Sequence, residues 1–181
     1  MTQVRSRFSW MYRLLRLFGP GFANPQFPPR LLLKHVIIQK ILRINAHTPW
    51  PVHWTSHIIA PEKIDPGTRA PGLSHGCHID GRNGIKFGKN VWIGPRVSII
   101  SMNHNTQNYW RYLPADPVII GDNCWLGANV VILPGVRLGN HVVVAAGAVV
   151  TQSFPEDDIL LAGVPARVIK QLPPYEKDEK V

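Results

Sequence analysis

Residues 120–149 read Ile120-Gly-Asp-Asn-Cys-Trp, Leu126-Gly-Ala-Asn-Val-Val, Ile132-Leu-Pro-Gly-Val-Arg, Leu138-Gly-Asn-His-Val-Val and Val144-Ala-Ala-Gly-Ala-Val. Five consecutive hexads keep one phase. The first residue of each is aliphatic, the second is Gly, Ala or Leu, and the fifth is Cys, Val or Ala. Neither a helix nor an alternating strand produces this pattern. Short strands joined by tight corners do, stacked as a parallel β-helix. Each hexad then forms one flat face, its aliphatic residue filling the interior and its small fifth residue letting the corner close. Three faces make a coil of eighteen residues.

The same phase appears upstream in Phe87-Gly-Lys-Asn-Val-Trp and Ile93-Gly-Pro-Arg-Val-Ser, with Ile99 next, and carried further back it puts Leu73, Ile79 and Ile85 at fifth positions. The two runs are out of step. From Ile99 to Ile120 is twenty-one residues, three more than a whole coil. The excess falls in the polar and aromatic segment 101–117, which breaks the pattern and hands back to it at Val118. This segment is expected to loop out of the coil with His104 near its base, and loops on a rigid scaffold are where binding and catalytic groups concentrate.

A chain of 181 residues suits one domain with appendages, since each coil of a solenoid buries its neighbour's face. Cys77 and Cys124 give neither a disulfide framework nor a CxxC metal pattern, so a reducing compartment is expected. Cys124, at a fifth position, reads as a small core residue. The formal charge of +9 is unevenly spread: residues 1–45 hold eight Lys and Arg and no acidic residue, leaving the rest of the chain nearly neutral. A basic arm is attached to an ordinary domain.

The arm reads as two helical pieces. Phe8, Met11, Leu14, Leu15 and Phe18 recur at helical spacing with Arg13 and Arg16 between them, and Gly19-Pro20 is a stop. Leu31 to Ile44 is a second apolar stretch, broken by Lys34, Gln39, Lys40 and Arg43. Both are too short and too charged to span a membrane, and arginines without a small-residue cleavage site argue against a signal peptide. The expected location is the cytoplasm. Two readings of the arm stand: packing on the coil or on a neighbouring subunit, or an interfacial anchor with Phe8, Trp10, Leu14 and Phe18 in the acyl boundary at the inner membrane face. The tail from Pro173 reads as frayed.

His104 leads among eight histidines because it sits at a coil corner beside the inserted loop, where a neutral imidazole can take a proton from a hydroxyl or amine. Asn103, Asn105, Asn108 and Tyr109 can orient the ring or bind a sugar hydroxyl. Trp92 and Trp125 occupy sixth positions, facing outward, where a tryptophan normally covers another chain, a loop or a ligand. Ala128 and Ala146, eighteen residues apart, stack on one corner of successive coils. With Gly127 and Gly147 they make a strip with little side chain, suited to a thin ligand, although corners demand small residues in any case.

Gly121 to Val136, Ala145-Ala-Gly-Ala-Val-Val-Thr151 and Ala162-Gly-Val-Pro-Ala-Arg-Val-Ile-Lys170 together resemble the hexapeptide-repeat acyltransferases, in particular the galactoside and maltose O-acetyltransferase branch and related capsule or O-antigen acetyltransferases. The resemblance covers roughly residues 55–171. It implies a left-handed β-helix assembled as a homotrimer, with active sites between subunits and acetyl-CoA as donor. It implies His104 as the general base that deprotonates the acceptor hydroxyl in a ternary complex, with no acyl-enzyme and no metal. Trp125 matches the family's active-site aromatic. Gly127, Ala128 and Ala146 fall where the pantetheine arm lies along the backbone, and Arg167 and Lys170 match basic residues near the nucleotide phosphates. Asn103 and Tyr109 are assigned to the acceptor. Gln152 stands where relatives often carry Lys, and no Asp follows His104 closely, so the group that orients the ring is open between a side chain and a backbone carbonyl.

The expected architecture is therefore an all-β solenoid with a helical arm over residues 1–50, the coil over 51–155 with its inserted loop 101–117, and a C-terminal segment and tail over 156–181. The expected function is acetyl-CoA-dependent O-acetylation of a sugar or saccharide, with a lipid-linked acceptor if the arm meets the membrane. Alternatives are N-acetylation of an amino sugar, a zinc-dependent hydratase using His75 and His78, and a coil without catalysis. Nucleic-acid binding is not expected, because the arm's arginines come with no recognition motif.

Overall fold

The computed structural model describes residues 9–176. Phe8, assigned above to the first apolar stripe, Arg5 and Arg7 of the basic arm, and the tail from Lys177 lie outside the described residues. The described chain begins with helix α1 (Ser9–Leu15), two 3-10 turns (Arg16–Phe18 and Pro20–Ala23) and helix α2 (Pro29–Val36), which opens on a proline and runs on through a π-turn, Ile37–Ile41. Sixteen strands follow among the described residues: β1 (His57–Ile59), β2 (Ile64–Asp65), β3 (His78–Asp80), β4 (Ile85–Phe87), β5 (Trp92–Ile93), β6 (Ser98–Ile100), β7 (Asn103–Asn105), β8 (Asn108–Leu113), β9 (Val118–Ile120), β10 (Trp125–Leu126), β11 (Val131–Ile132), β12 (Arg137–Leu138), β13 (Val143–Val144), β14 (Val149–Val150), β15 (Ile159–Gly163) and β16 (Ala166–Gln171).

Three stacks of strands run the length of the coil. The first sheet has the order β1-β3-β6-β11-β14, the second β2-β4-β9-β12 and the third β5-β10-β13-β15-β16. From β4 to β14, the hairpin β7–β8 aside, the chain visits second, third and first sheets in turn, so each circuit adds one parallel strand to every face; β15 and the antiparallel β16 then close the third sheet. The registers Ile120 to Leu138, Leu126 to Val144 and Ile132 to Val150 set a repeat of eighteen residues. All five first positions, Ile120, Leu126, Ile132, Leu138 and Val144, and all five fifth positions from Cys124 to Ala148 are buried in one continuous core. Burying two aliphatic rows per face is what stabilises strands too short to persist alone.

The fourth hexad position makes the corner. Asn90, Arg96, Asn123, Asn129 and His141 there have φ between 52° and 58°, and Gly135 and Gly147 have φ of 74° and 75°. Left-handed backbone is what asparagine and glycine tolerate best. Asparagine and glycine fill five of these seven positions.

The upstream phase needs correction. Ile79 opposes Ile99, a first position, rather than standing at a fifth, and Cys77 is buried two residues before it. Leu73 leaves the coil core and packs beside the arm. Ile85, opposite Val118, does stand at a fifth position. The early circuits are longer, Ile58 opposing Ile79 and Ile64 opposing Ile85, so a strict period cannot be extended through them.

The inserted loop is also larger than three residues. Ile99 opposes Ile132, thirty-three residues on, where an unbroken circuit takes eighteen, so the excess is fifteen. Counting from Ile99 to Ile120 compared positions on different faces. The insertion folds as the antiparallel hairpin β7–β8, leaving the coil at the edge between the first and second sheets.

The arm rests on the coil through a second apolar cluster of Leu15, Phe22, Phe27, Leu32 and Val36. Gln39, read as a break in an apolar stretch, is fully buried: its amide donates to the carbonyls of Asn45 and Trp50 and accepts from Val52 N–H. The C-terminal segment is held as far as Tyr175, whose hydroxyl accepts from Asn90 and whose ring meets His141 edge-on, so the tail is not frayed from Pro173.

Candidate active site

His104 sits on β7 at the foot of the hairpin, exposed to solvent. Its Nδ1 bonds the carbonyl of Tyr109 on the facing strand. A carbonyl only accepts, so Nδ1 carries the proton and the neutral ring keeps its lone pair on Nε2. A backbone carbonyl, rather than any of the loop's asparagine side chains, therefore orients the ring. The Asn105 side chain instead accepts from the N–H groups of Gln107 and Asn108, and Asn108 accepts from Trp110, which caps the hairpin turn.

A chain of contacts fixes the other face of the imidazole. Tyr112 packs on it with ring centroids 4.7 Å apart, and the Arg82 guanidinium lies 4.8 Å from the Tyr112 ring centroid. Arg82 is gripped in turn by Asp80 in a bidentate pair at 2.6–3.1 Å. Burial raises the pKa of the Asp80 carboxyl, but hydrogen bonds and charge from Arg82 outweigh it and leave it below the usual carboxylate range. The next residue, Asn83, donates from its side chain to the Leu113 carbonyl and from its backbone to Ser101 Oγ, tying both ends of the hairpin to the same edge. Asp80, Arg82 and Tyr112 were not among the residues picked from sequence. They lie where the hexad phase is lost, and only the fold brings them together.

The third sheet carries a different set. Trp125 pairs in register with Trp92 and both project outward, about half exposed. With Asn123, His141, Val143 and Tyr175 they line a cleft of about 400 Å³. The Arg69 guanidinium stacks on Trp92 at 3.6 Å. At the corner after β10 and β13 lie Gly127, Ala128 and Ala146. A Cβ on Gly127 would come within 2.7 Å of the Ala146 nitrogen, so the strip is pressed backbone to backbone. Arg167 and Lys170 are on β16, exposed, and β16 is three strands from the strand of Trp125. Strand spacing puts this at about 14 Å. Asn103 and Tyr109 are exposed on the hairpin with His104.

One chain therefore presents two half-sets. His104, Asn103 and Tyr109 leave the edge between first and second sheets, while Trp125, Gly127, Ala128, Ala146, Arg167 and Lys170 belong to the third sheet and its corner with the first. Burial pushes the Cys124 thiol up to about 12, which keeps it a neutral core group. His75 and His78 do not form a joint centre: His75 meets His53 and His78 meets His57, and among the described residues no cluster of three or more metal-ligating side chains exists.

A family profile described as the hexapeptide repeat of succinyl-transferase matches residues 117–152. The galactoside O-acetyltransferase of Escherichia coli K12 is 37% identical over 105 residues, covering 54% of this chain and 51% of that protein. WbbJ of the same organism, ascribed to lipopolysaccharide biosynthesis as an O-acetyl transferase, is 37% identical over 52% of this chain and 54% of its own length. A tetrahydropyridine-dicarboxylate N-acetyltransferase of Staphylococcus aureus is 42% identical over 51% of this chain and 36% of that protein. This chain thus spans about half the length, or less, of the curated relatives it matches. Among solved structures, a hexapeptide-repeat acetyltransferase of Vibrio cholerae complexed with acetyl-CoA superposes with a TM-score of 0.51 at 30% identity, over 66% of this chain and 69% of that one. Agreement in repeat, sheet stacking and sequence over most of a solved relative makes this chain a member of the hexapeptide-repeat acyltransferase family.

Proposed function

We propose that the protein transfers an acetyl group from acetyl-CoA to a hydroxyl of a saccharide, with His104 as general base. The observation that carries this is the exposed imidazole held through Nδ1 by the Tyr109 carbonyl, with Nε2 bonded to none of the described residues, at the foot of the hairpin. Nε2 takes the acceptor proton as the oxygen attacks the thioester carbonyl. The C–S bond then breaks, and the imidazolium returns the proton to the departing thiolate. Both substrates are bound at once, and no acyl-enzyme forms. Asn103 and Tyr109 meet the acceptor.

Trp125, Gly127, Ala128 and Ala146 hold the pantetheine arm on this reading, and Arg167 and Lys170 meet the nucleotide phosphates. His104 and that track leave different edges of one chain, so the reading includes a homotrimer of left-handed coils in which each hairpin faces a neighbour's third sheet. The relation to WbbJ, named for lipopolysaccharide biosynthesis, supports a saccharide of that kind as the acceptor class; that it is a lipid-linked intermediate met in the cytoplasm is part of the proposal.

The test is thiol release from acetyl-CoA over a panel of saccharides, wild type against His104→Ala. Turnover is expected to fall by ~10²-fold or more with CoA binding intact; release insensitive to the substitution or to the acceptor overturns the assignment. N-acetylation, on an amino sugar, is the second reading; the Staphylococcus aureus relative favours the N-acyl bond type, though its named acceptor is a dicarboxylate and not a sugar. Hydroxylamine cleaves an ester product and leaves an amide.

A further inference from the structure

The sides of α1 and α2 that do not hold the arm on the coil are apolar and cationic. Leu15, Leu32 and Val36 point into the cluster beneath. Trp10, Leu14 and Leu17 on the first helix and its following turn stand in solvent, and so do Leu33, Ile37 and Ile41, spaced every four residues along the second; Leu17 is 81% and Ile41 69% exposed. An exposed apolar stripe on each of two consecutive helices is more than scattered surface leucines require. Arg13, Arg16, Lys34 and Arg43 are exposed beside these stripes. No acidic residue occurs in residues 1–45 to neutralise them.

This combination selects its occupant. A second copy docking arm to arm would bring cation against cation, and the rest of the chain is close to neutral overall, so its net charge does not draw the arm. A bilayer with anionic lipids accepts both features together: aliphatic side chains and a tryptophan enter the acyl boundary while guanidinium and ammonium groups meet phosphates. Among the described residues no helix is long and apolar enough to cross a membrane, so the contact is one of lying on the surface. The helices come already folded on the coil, which lowers the ordering cost of binding.

We propose that the arm docks the protein on an anionic lipid surface through Trp10, Leu14, Leu17, Leu33, Ile37 and Ile41, with Arg13, Arg16, Lys34 and Arg43 at the headgroups. The proposal is independent of the reaction assigned above and is read without any activity. The full chain is sedimented with vesicles of phosphatidylcholine alone and with added phosphatidylglycerol, at low and high salt. Binding is expected only to the anionic vesicles, weakening with salt. Arg13→Glu with Arg16→Glu is expected to lower partitioning by about tenfold or more, and Leu17→Asp with Ile41→Asp by a similar factor, with melting temperature and mass by light scattering unchanged. Equal binding to neutral vesicles, no binding at all, or partitioning indifferent to both pairs overturns it. A fall in mass for the Asp pair also overturns it, by making this face a contact between subunits.

Discussion

Three contacts fix the His104 ring: the Tyr109 carbonyl at Nδ1, Tyr112 on its face, and Arg82 behind Tyr112. Asp80 lies at their root, 2% exposed. Asp80→Asn keeps the shape but removes the charge that holds Arg82, so stability is expected to fall by about 1–2 kcal/mol. Turnover should fall roughly tenfold, the scale of a small displacement of a catalytic group. The KM for acetyl-CoA should not move, because the track proposed for the donor lies on another sheet; a change in KM alone would sink the positioning role. The pH dependence follows from the lowered Asp80 pKa. The pair's contribution is present above the unfolded value near ~3.9 and is lost as pH falls through the lower folded value. Loss of the Asp80 contribution is therefore expected only below about pH 4. At this scale the sequence made the position of His104 at the foot of the inserted hairpin legible, because Asn-His stands where the repeat breaks. It hid Asp80 and Arg82, whose role depends on Tyr112, thirty residues away from Arg82.

The corner is the element that limits substitution. A Cβ on Gly94 would sit 2.9 Å from the Ala128 nitrogen of the next coil, whereas one on Gly147 meets nothing within 4 Å and has only its φ of 75° against it. Gly94→Ala is expected to cost about 1–3 kcal/mol and Gly147→Ala about 1 kcal/mol, an order that chemical denaturation can check. On α2, His35 is buried with its Nδ1 3.0 Å from the Val52 carbonyl. Burial lowers its pKa against the opposing effect of that carbonyl. Above about pH 6.5 the ring is neutral folded and unfolded. As pH falls below that, the unfolded chain takes the proton first and the attachment of arm to coil weakens, until pH passes the folded value. His35→Gln keeps a donor for Val52 and is expected to flatten the decline in melting temperature between pH 6.5 and pH 5 by at most one proton; an unchanged slope would remove His35 as its source. The helices were legible from apolar spacing, but the burial of Gln39 was not, since its three partners lie on backbone that only the fold brings near.

Across the whole molecule one apolar core runs through every circuit, while registers drift from twenty-one to eighteen residues along the chain. The downstream repeat could be read directly because all its corners are four residues long, but the upstream circuits vary in corner length and their phase could not be carried back. The hairpin between β6 and β9 adds fifteen residues without disturbing the register on either side, where Ile99 still opposes Ile132. Deleting residues 102–116 restores the eighteen-residue spacing. The shortened protein is expected to keep its circular dichroism and its stability within about 2 kcal/mol, because closing a surface loop changes little with its length. It should lose all transfer activity while still binding CoA. A scaffold that re-enters its own lattice after an excursion treats that excursion as a cassette: its chemistry can be exchanged, lengthened or erased in one step while the columns that carry the load are left as they were.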